Sequence, residues 1–295
     1  MKLFDDLHGK RMTSRFALAL AFCFGLALTS SAQVVRFQTT VGDFDMVLNP
    51  TNNPVLQGHV DNMLQYVEDE RYLGSWINRA ANGFVLQMGG FFSHTKRPPV
   101  TIDSTRGVQT FAPIQGEPAA ENPGLSNTVG TVSMALSGLA TGGTNQNSGT
   151  SSFFVNLTSN DFLDADFTVF AAIPDMTTID KIMALSTIDR TQDPVFGADA
   201  GNLGFTDVPL DDNGMQVFIK RAFVISDTLA VAKAMAGVQS VMEASEAGGG
   251  LGQQSLSAAG SGLSSGGSAV PEPTSAVLVV IGAMGLGFSR RRRSS

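Results

Sequence analysis

Cysteine is almost absent from this chain of 295 residues: its single cysteine, Cys23, lies in an apolar stretch near the N-terminus. Disulfides, thiolate metal sites and a cysteine nucleophile are therefore excluded from the remainder of the chain. Histidine is nearly as scarce. His59 and His94 stand far apart with no H-x-x-x-H spacing, so neither suggests a metal ligand and each reads as a solvated helix or loop residue. Outside the two ends of the chain, basic residues are few and unclustered, which makes nucleic acid a poor partner, because phosphate binding needs grouped Lys and Arg. The glycine-rich run at 137–151 (SGLATGGTNQNSGTS) has no G-K-[ST] ending and opens no helix, so it is a loop and not a phosphate cradle. Ser148 and Ser151 have no paired His and Asp, which removes serine hydrolase chemistry.

What is present begins with a folded composition, 43% hydrophobic and 15% charged. Residues 1–32 carry Lys2, Lys10, Arg11 and Arg15, then an apolar run at 16–28 and the small residues Ser30, Ser31 and Ala32. This is the pattern of a secretory signal peptide, starting at Met1 or, more compactly, at Met12. At the far end, Pro271-Glu272-Pro273 precedes an apolar run at 276–288 and then Arg290 to Arg293. A helix of that length spans roughly 20 Å, short of a ~30 Å hydrocarbon core, which suits transient rather than permanent anchoring. Residues 270–295 resemble a PEP-CTERM sorting tail of Gram-negative bacteria. That resemblance implies a short transmembrane segment, cleavage near Pro271 to Pro273 by an exosortase-like protease, and delivery to the periplasm, outer envelope or extracellular matrix. Without the charged residues of the leader and the four tail arginines, 11 basic residues face 24 acidic ones, a balance suited to a soluble exported protein.

Alternating runs at 34–39 and 44–48 around Thr40-Val41-Gly42-Asp43 predict a β-hairpin. Asn53 as N-cap and Pro54 at the first helical position open a helix with Leu56, Val60, Met63, Leu64 and Val67 on one face. A second short helix is expected after Thr177 or Thr178, with Ile179, Ile182 and Met183 on one side. Short runs at 77–79, 84–88, 131–135, 153–157, 168–173 and 217–224 read as strands. Many antiparallel strands with two helices suggest a closed barrel, which leaves no sheet edge exposed. Residues 189–212 read as an acidic surface insertion. Residues 228–247 predict a helix with Leu229, Ala232, Met235 and Ala236 at helical spacing, and 248–269 a flexible Gly/Ser linker.

The segment at 75–91, SWINRAANGFVLQMGGF, sets one arginine, Arg79, and one glutamine, Gln87, among small and apolar residues. It resembles the cyclophilin pattern F-H-R-x-x-x-x-F-x-x-Q-G-G-D. Three more blocks follow in the family's order: GTVSMA at 130–135, SSFFVN at 151–156 and FLDADFTVF at 162–170. The resemblance covers roughly 34–224. It implies a mainly β domain at 33–227, a closed eight-stranded antiparallel barrel capped by two α-helices, with no cofactor and no metal. It also implies that Arg79, Phe84 and Gln87 act in catalysis. Val85, Ala135, Leu136, Ser152, Phe154, Phe162, Leu163 and Phe167 match the positions that bind substrate. The implied activity is peptidyl-prolyl cis/trans isomerisation by a monomer, with proline-containing exported polypeptides as partners.

The chemistry suits these residue types. No group is transferred; the site must favour a twisted imide over its planar forms, against a barrier near ~20 kcal/mol. A permanently charged, planar guanidinium aimed at the prolyl nitrogen does so. The pattern departs from the family at several points. Asn78 stands for a frequent histidine, Met88 for a glycine, Gly90 for an aspartate, Leu136 for an asparagine, Ser152 for a glutamine and Phe162 for a tryptophan. Fewer polar groups remain to grip a peptide backbone. The alternative reading is therefore a weakly catalytic or non-catalytic proline-peptide-binding or matrix protein on the same barrel.

Overall fold

A computed structural model describes residues 33–93, 105–122, 124–139, 142–190 and 203–254. The expected signal peptide, His94, the linker after Gln254 and the sorting tail lie outside the described residues. Among those described, no helix is long and apolar enough to cross a membrane.

The first hairpin follows its alternation. β1 (Val34–Thr39) and β2 (Asp43–Leu48) pair antiparallel with Phe37 opposite Phe44, whose rings stack at 5.1 Å. Asn53 accepts the Val55 N–H, and Pro54 opens a 3-10 turn leading into α1 (Gln57–Glu68). The remaining strands are β3 (Ser75–Ala81), β4 (Val85–Ser93), β5 (Thr105–Gly107), β6 (Thr131–Met134), β7 (Ser137–Gly138), β8 (Thr144–Asn145), β9 (Phe153–Asn156), β10 (Val169–Ala172), β11 (Ser186–Ile188), β12 (Val208–Leu210) and β13 (Ile219–Val224). Two more helices are α2 (Thr177–Met183) and α3 (Thr228–Gln254).

Eight strands run in the order β13-β1-β2-β10-β6-β9-β4-β3, with β5 added beside β4. The two ends of this path meet. Ile77 donates its N–H to Val217 O at 3.0 Å, and Gly74 donates to Ile219 O at 2.9 Å. The result is the nearly closed, mainly β antiparallel barrel that the sequence predicts. Its interior is aromatic: Phe153 lies 5.5 Å from Phe37 and 5.9 Å, edge-on, from Tyr72. Each such side chain, fully buried, contributes about 2–3 kcal/mol of hydrophobic stabilisation. α1 packs against β13 and α2 against β2.

Five local expectations are corrected. The 137–151 loop contains the β7–β8 hairpin and a 3-10 turn at Gln146–Ser148. The insertion at 189–212 is not all solvated surface, because Phe205 and Val208 are buried against Trp76 and Phe91. α3 buries Ala234 and Val238 rather than Leu229, Ala232 and Ala236, which are exposed. An alanine- and methionine-rich helix is nearly uniform around its axis, so spacing does not select its inner face. α3 also continues through Gln254, into the stretch whose composition suggests a linker.

The fifth correction is His59. Expected to be solvated, it is only 2% exposed, its ring faces Phe170 at 6.0 Å, and Nε2 has no hydrogen-bond partner. The apolar stripe of α1 is simply wider than the five residues read from spacing, and it includes this position. Burial pushes the imidazole pKa down from 6.5 to about 4. The folded state therefore binds fewer protons than the unfolded chain between these values, so stability falls as pH drops through that window. The wild type is expected to lose about 3 kcal/mol more than His59→Leu between pH 7 and pH 4. Denaturant titrations at the two pH values check this, and parallel losses in both proteins would contradict it.

Candidate active site

The β-strand alternation divides the motif residues between two faces. On β9, Phe153 points into the barrel while Phe154 points outward, where it meets Phe167 edge-on at 5.6 Å. Across the neighbouring strands, Arg79 pairs with Gln87, Gln87 with Phe154, and Phe154 with Ser133. Directly paired residues in antiparallel strands share a face. Arg79, Gln87, Phe154 and Ser133 thus form one row across β3, β4, β9 and β6, on the face opposite the aromatic core. Residues more than 50 positions apart in sequence are brought together by register alone.

Arg79 is 8% exposed, and its Nε has no hydrogen-bond partner. Its guanidinium carbon lies 5.5 Å from the centre of the Phe84 ring, within cation–π range. Burial pushes the guanidinium pKa down, and the nearby negative charge of Asp207 opposes that shift. An arginine so placed keeps its charge at neutral pH. It is a buried cation packed on the Phe84 ring with its Nε donor unspent.

The other expected residues surround this row unevenly. Phe84 stacks on Phe162 at 6.1 Å, and Phe162, 64% exposed, forms an outer lip. Phe167 is buried edge-on to Phe154, and Leu163 is buried in the same apolar cluster. Val85 is one pleat along β4 from Gln87, fully buried and opposite Asn156. The Ala135 N–H donates to Ser152 O at 3.0 Å, tying two expected substrate-binding positions to each other. Ser152 Oγ donates to Met88 O at 3.2 Å. Leu136 is buried in the main core. These two departures from the family pattern therefore turn their side chains to the protein itself.

Several residues beside the site escape sequence reading. Asp207 is brought to β3 by a hydrogen bond from the Ala80 N–H to its carbonyl at 2.7 Å. Asn78, next to Arg79, donates to Gly204 O at 2.9 Å, again from the insertion. Asn127, Asn156, Asn160 and Asp164 form a linked polar network behind the Phe84–Phe162 lip. Asp164 lies within the FLDADFTVF block, which was its only signal. Among the described residues no cluster of His, Cys, Asp or Glu could hold a metal ion.

Comparison with known proteins identifies the family. The family model described as cyclophilin type peptidyl-prolyl cis-trans isomerase/CLD matches residues 34–198, more than half of the chain. The chain is 32% identical over 185 residues to a peptidyl-prolyl cis-trans isomerase of Acinetobacter baylyi, covering 60% of this chain and 85% of that protein. It is 34% identical over 173 residues to peptidyl-prolyl cis-trans isomerase A of Dickeya dadantii, covering 57% and 79%. A solved cyclophilin type isomerase from Cryptosporidium parvum, 19% identical, aligns with 66% of this chain and 99% of its own at a TM-score of 0.44. The matched segment contains the whole Arg79–Gln87–Phe154 row, and the chain belongs to the cyclophilin-type peptidyl-prolyl cis-trans isomerase family.

Proposed function

We propose that this chain is an exported peptidyl-prolyl cis/trans isomerase acting on Xaa-Pro bonds of proteins in the cell envelope or extracellular matrix. The observation that carries the activity is the shared row of Arg79, Gln87 and Phe154. As the imide twists, resonance is lost and the prolyl nitrogen lone pair becomes a hydrogen-bond acceptor. A guanidinium on an apolar face binds that state better than either planar form. Gln87 offers both a carbonyl oxygen and an amide to orient arginine and peptide. Phe154, Leu163 and Phe167 form the apolar wall for the proline ring. Phe154 has no exposed surface, so a ring reaching it must displace a neighbour, and Phe162 is the exposed member of the set.

The signal-like leader and the Pro-Glu-Pro tail support export and sorting, with a signal peptidase and an exosortase-like protease as processing partners. Fractionation tests this: a species shortened at both ends should appear outside the cytoplasm, and a full-length cytoplasmic protein would overturn it.

A second reading, a proline-peptide-binding protein with little turnover, is favoured by one observation. Leu136 is apolar and buried and the Ser152 hydroxyl donates to Met88 O, so neither position offers a free polar side chain to a peptide backbone. Exchange spectroscopy on an Ala-Pro tetrapeptide and its Ala-Ala analogue separates the two. Accelerated cis/trans exchange supports the isomerase. Binding of the proline peptide at the uncatalysed exchange rate supports the second reading, and equal failure to bind both peptides defeats both.

A further inference from the structure

α3 lies beyond the segment that the family model matches, yet it is built into the barrel. Ala234 and Val238 are buried against Val34, Val47 and Ala172, and Met242 packs on Ala119, Leu125 and Val169. Gly237 lets the helix approach closely, since a Cβ there would lie 2.9 Å from both the Cβ and the carbonyl oxygen of Pro174. One turn further on than Met242, Ser245 is 2% exposed. Its Oγ accepts the Ser126 N–H at 2.6 Å and donates to Ser126 O at 3.4 Å.

From Ser126 the hydrogen bonds lead to the site. Ser126 Oγ donates to Asp164 Oδ2, and Asp164 Oδ1 accepts from Asn127 N at 2.8 Å and Nδ2 at 2.7 Å. Asp164 closes the 3-10 turn Asp161–Leu163, which carries Phe162 and Leu163. Asn160 holds the other end of that turn, donating its N–H to Asn127 O at 2.6 Å and its Nδ2 to Phe84 O at 3.1 Å. Ser133, the last member of the arginine row, donates to Asn127 Oδ1 at 2.6 Å. The turn is thus gripped at both ends by the 126–127 backbone, and Ser245 grips that backbone from outside.

We infer that α3 is a positioning element of the site, in which Ser245, through Ser126 and Asp164, holds the turn that presents Phe162 and Leu163 to substrate. This rests on the isomerase reading only for its kinetic consequence. A polar chain of this kind sets geometry because each member leaves its neighbour one arrangement.

The test uses point variants of the whole chain. Ser245→Ala should raise KM for an Ala-Pro tetrapeptide about fivefold with kcat nearly unchanged, because a displaced wall costs binding before it costs chemistry. Gln239→Ala, on the exposed face of the same helix, should change neither. In an Asp164→Ala background Ser245→Ala should add less than it does alone, since the side chain that joins the turn to residues 126 and 127 is already gone. A second readout is independent of activity: amide hydrogen exchange at Leu163 and Asp164 should accelerate about tenfold in Ser245→Ala while Leu86 and Val155 stay protected. Unchanged exchange at Leu163 and Asp164 would overturn the inference, as would KM effects that add fully in the Asp164→Ala background. A wild type that shows no isomerisation while the exchange result holds would sink the isomerase reading alone.

Discussion

Replacing Arg79 with alanine is expected to lower kcat/KM for an Ala-Pro peptide by about 100- to 1000-fold, the scale on which a preorganised transition-state donor acts. The loss should fall mainly on kcat, because the guanidinium interacts with a lone pair that exists only in the twisted imide. Stability should hardly change. The Arg79 Nε is buried without a partner, so removing it ends a desolvation penalty while giving up packing on the Phe84 ring. Arg79→Lys keeps a charge but loses the planar fork, and should recover part of the activity and not all of it. A protease-coupled or exchange measurement at low temperature reads both variants. Full activity in Arg79→Ala would remove this residue from the mechanism, and full activity in Arg79→Lys would reduce its role to charge alone. The wild-type rate should also be level from about pH 5 to 9, since no member of the Arg79, Gln87, Phe154 and Ser133 row titrates there.

Arg79, Gln87 and Phe154 were legible through the cyclophilin resemblance of their motif blocks, while the GTVSMA block gave Ser133 no role and it joins the row only by register. Phe153 and Phe154 differ in role only by the two-residue period, one packing on Phe37 and Tyr72 and the other meeting Phe167. The α1 start was legible because Asn53 and Pro54 act on their own neighbours. What could not be read depends on distant contacts. Asn78 bonds to Gly204 across 126 positions, and Ser126 to Ser245 across 119. No local pattern marks either partner. The insertion's composition is polar and acidic, yet two of its apolar residues, Phe205 and Val208, find a home against Trp76 because β12 lies beside β3. The burial of His59 has the same cause: its ring faces Phe170, which only the barrel brings near.

Gly89→Ala is expected to be the most destabilising single-methyl change in the motif, costing about 3 kcal/mol or more. Two effects add. Gly89 has φ +84, a left-handed conformation that costs an L-residue roughly 1–2 kcal/mol. Its added Cβ would also lie 2.6 Å from Ser151 O, 3.0 Å from Tyr72 Cε1 and 3.2 Å from Phe153 Cδ1. Ser151 O is backbone that already accepts the Tyr72 hydroxyl at 2.9 Å, so it cannot retreat without breaking a buried hydrogen bond. Both aromatic rings belong to the barrel interior, where overpacking costs a further ~1–3 kcal/mol. Gly83 separates the terms, since its φ is +67 but nothing lies within 4 Å of a Cβ there. Gly83→Ala should therefore cost only the conformational part, about 1–2 kcal/mol. Denaturant unfolding of the two variants measures the difference, and equal losses would show that the Ser151 contact yields without cost. The glycine of this motif thus acts on the fold first. By letting β4 bend beside Ser151 it sets Phe153 inside the barrel and Phe154 opposite Gln87, and the site inherits its geometry from that contact.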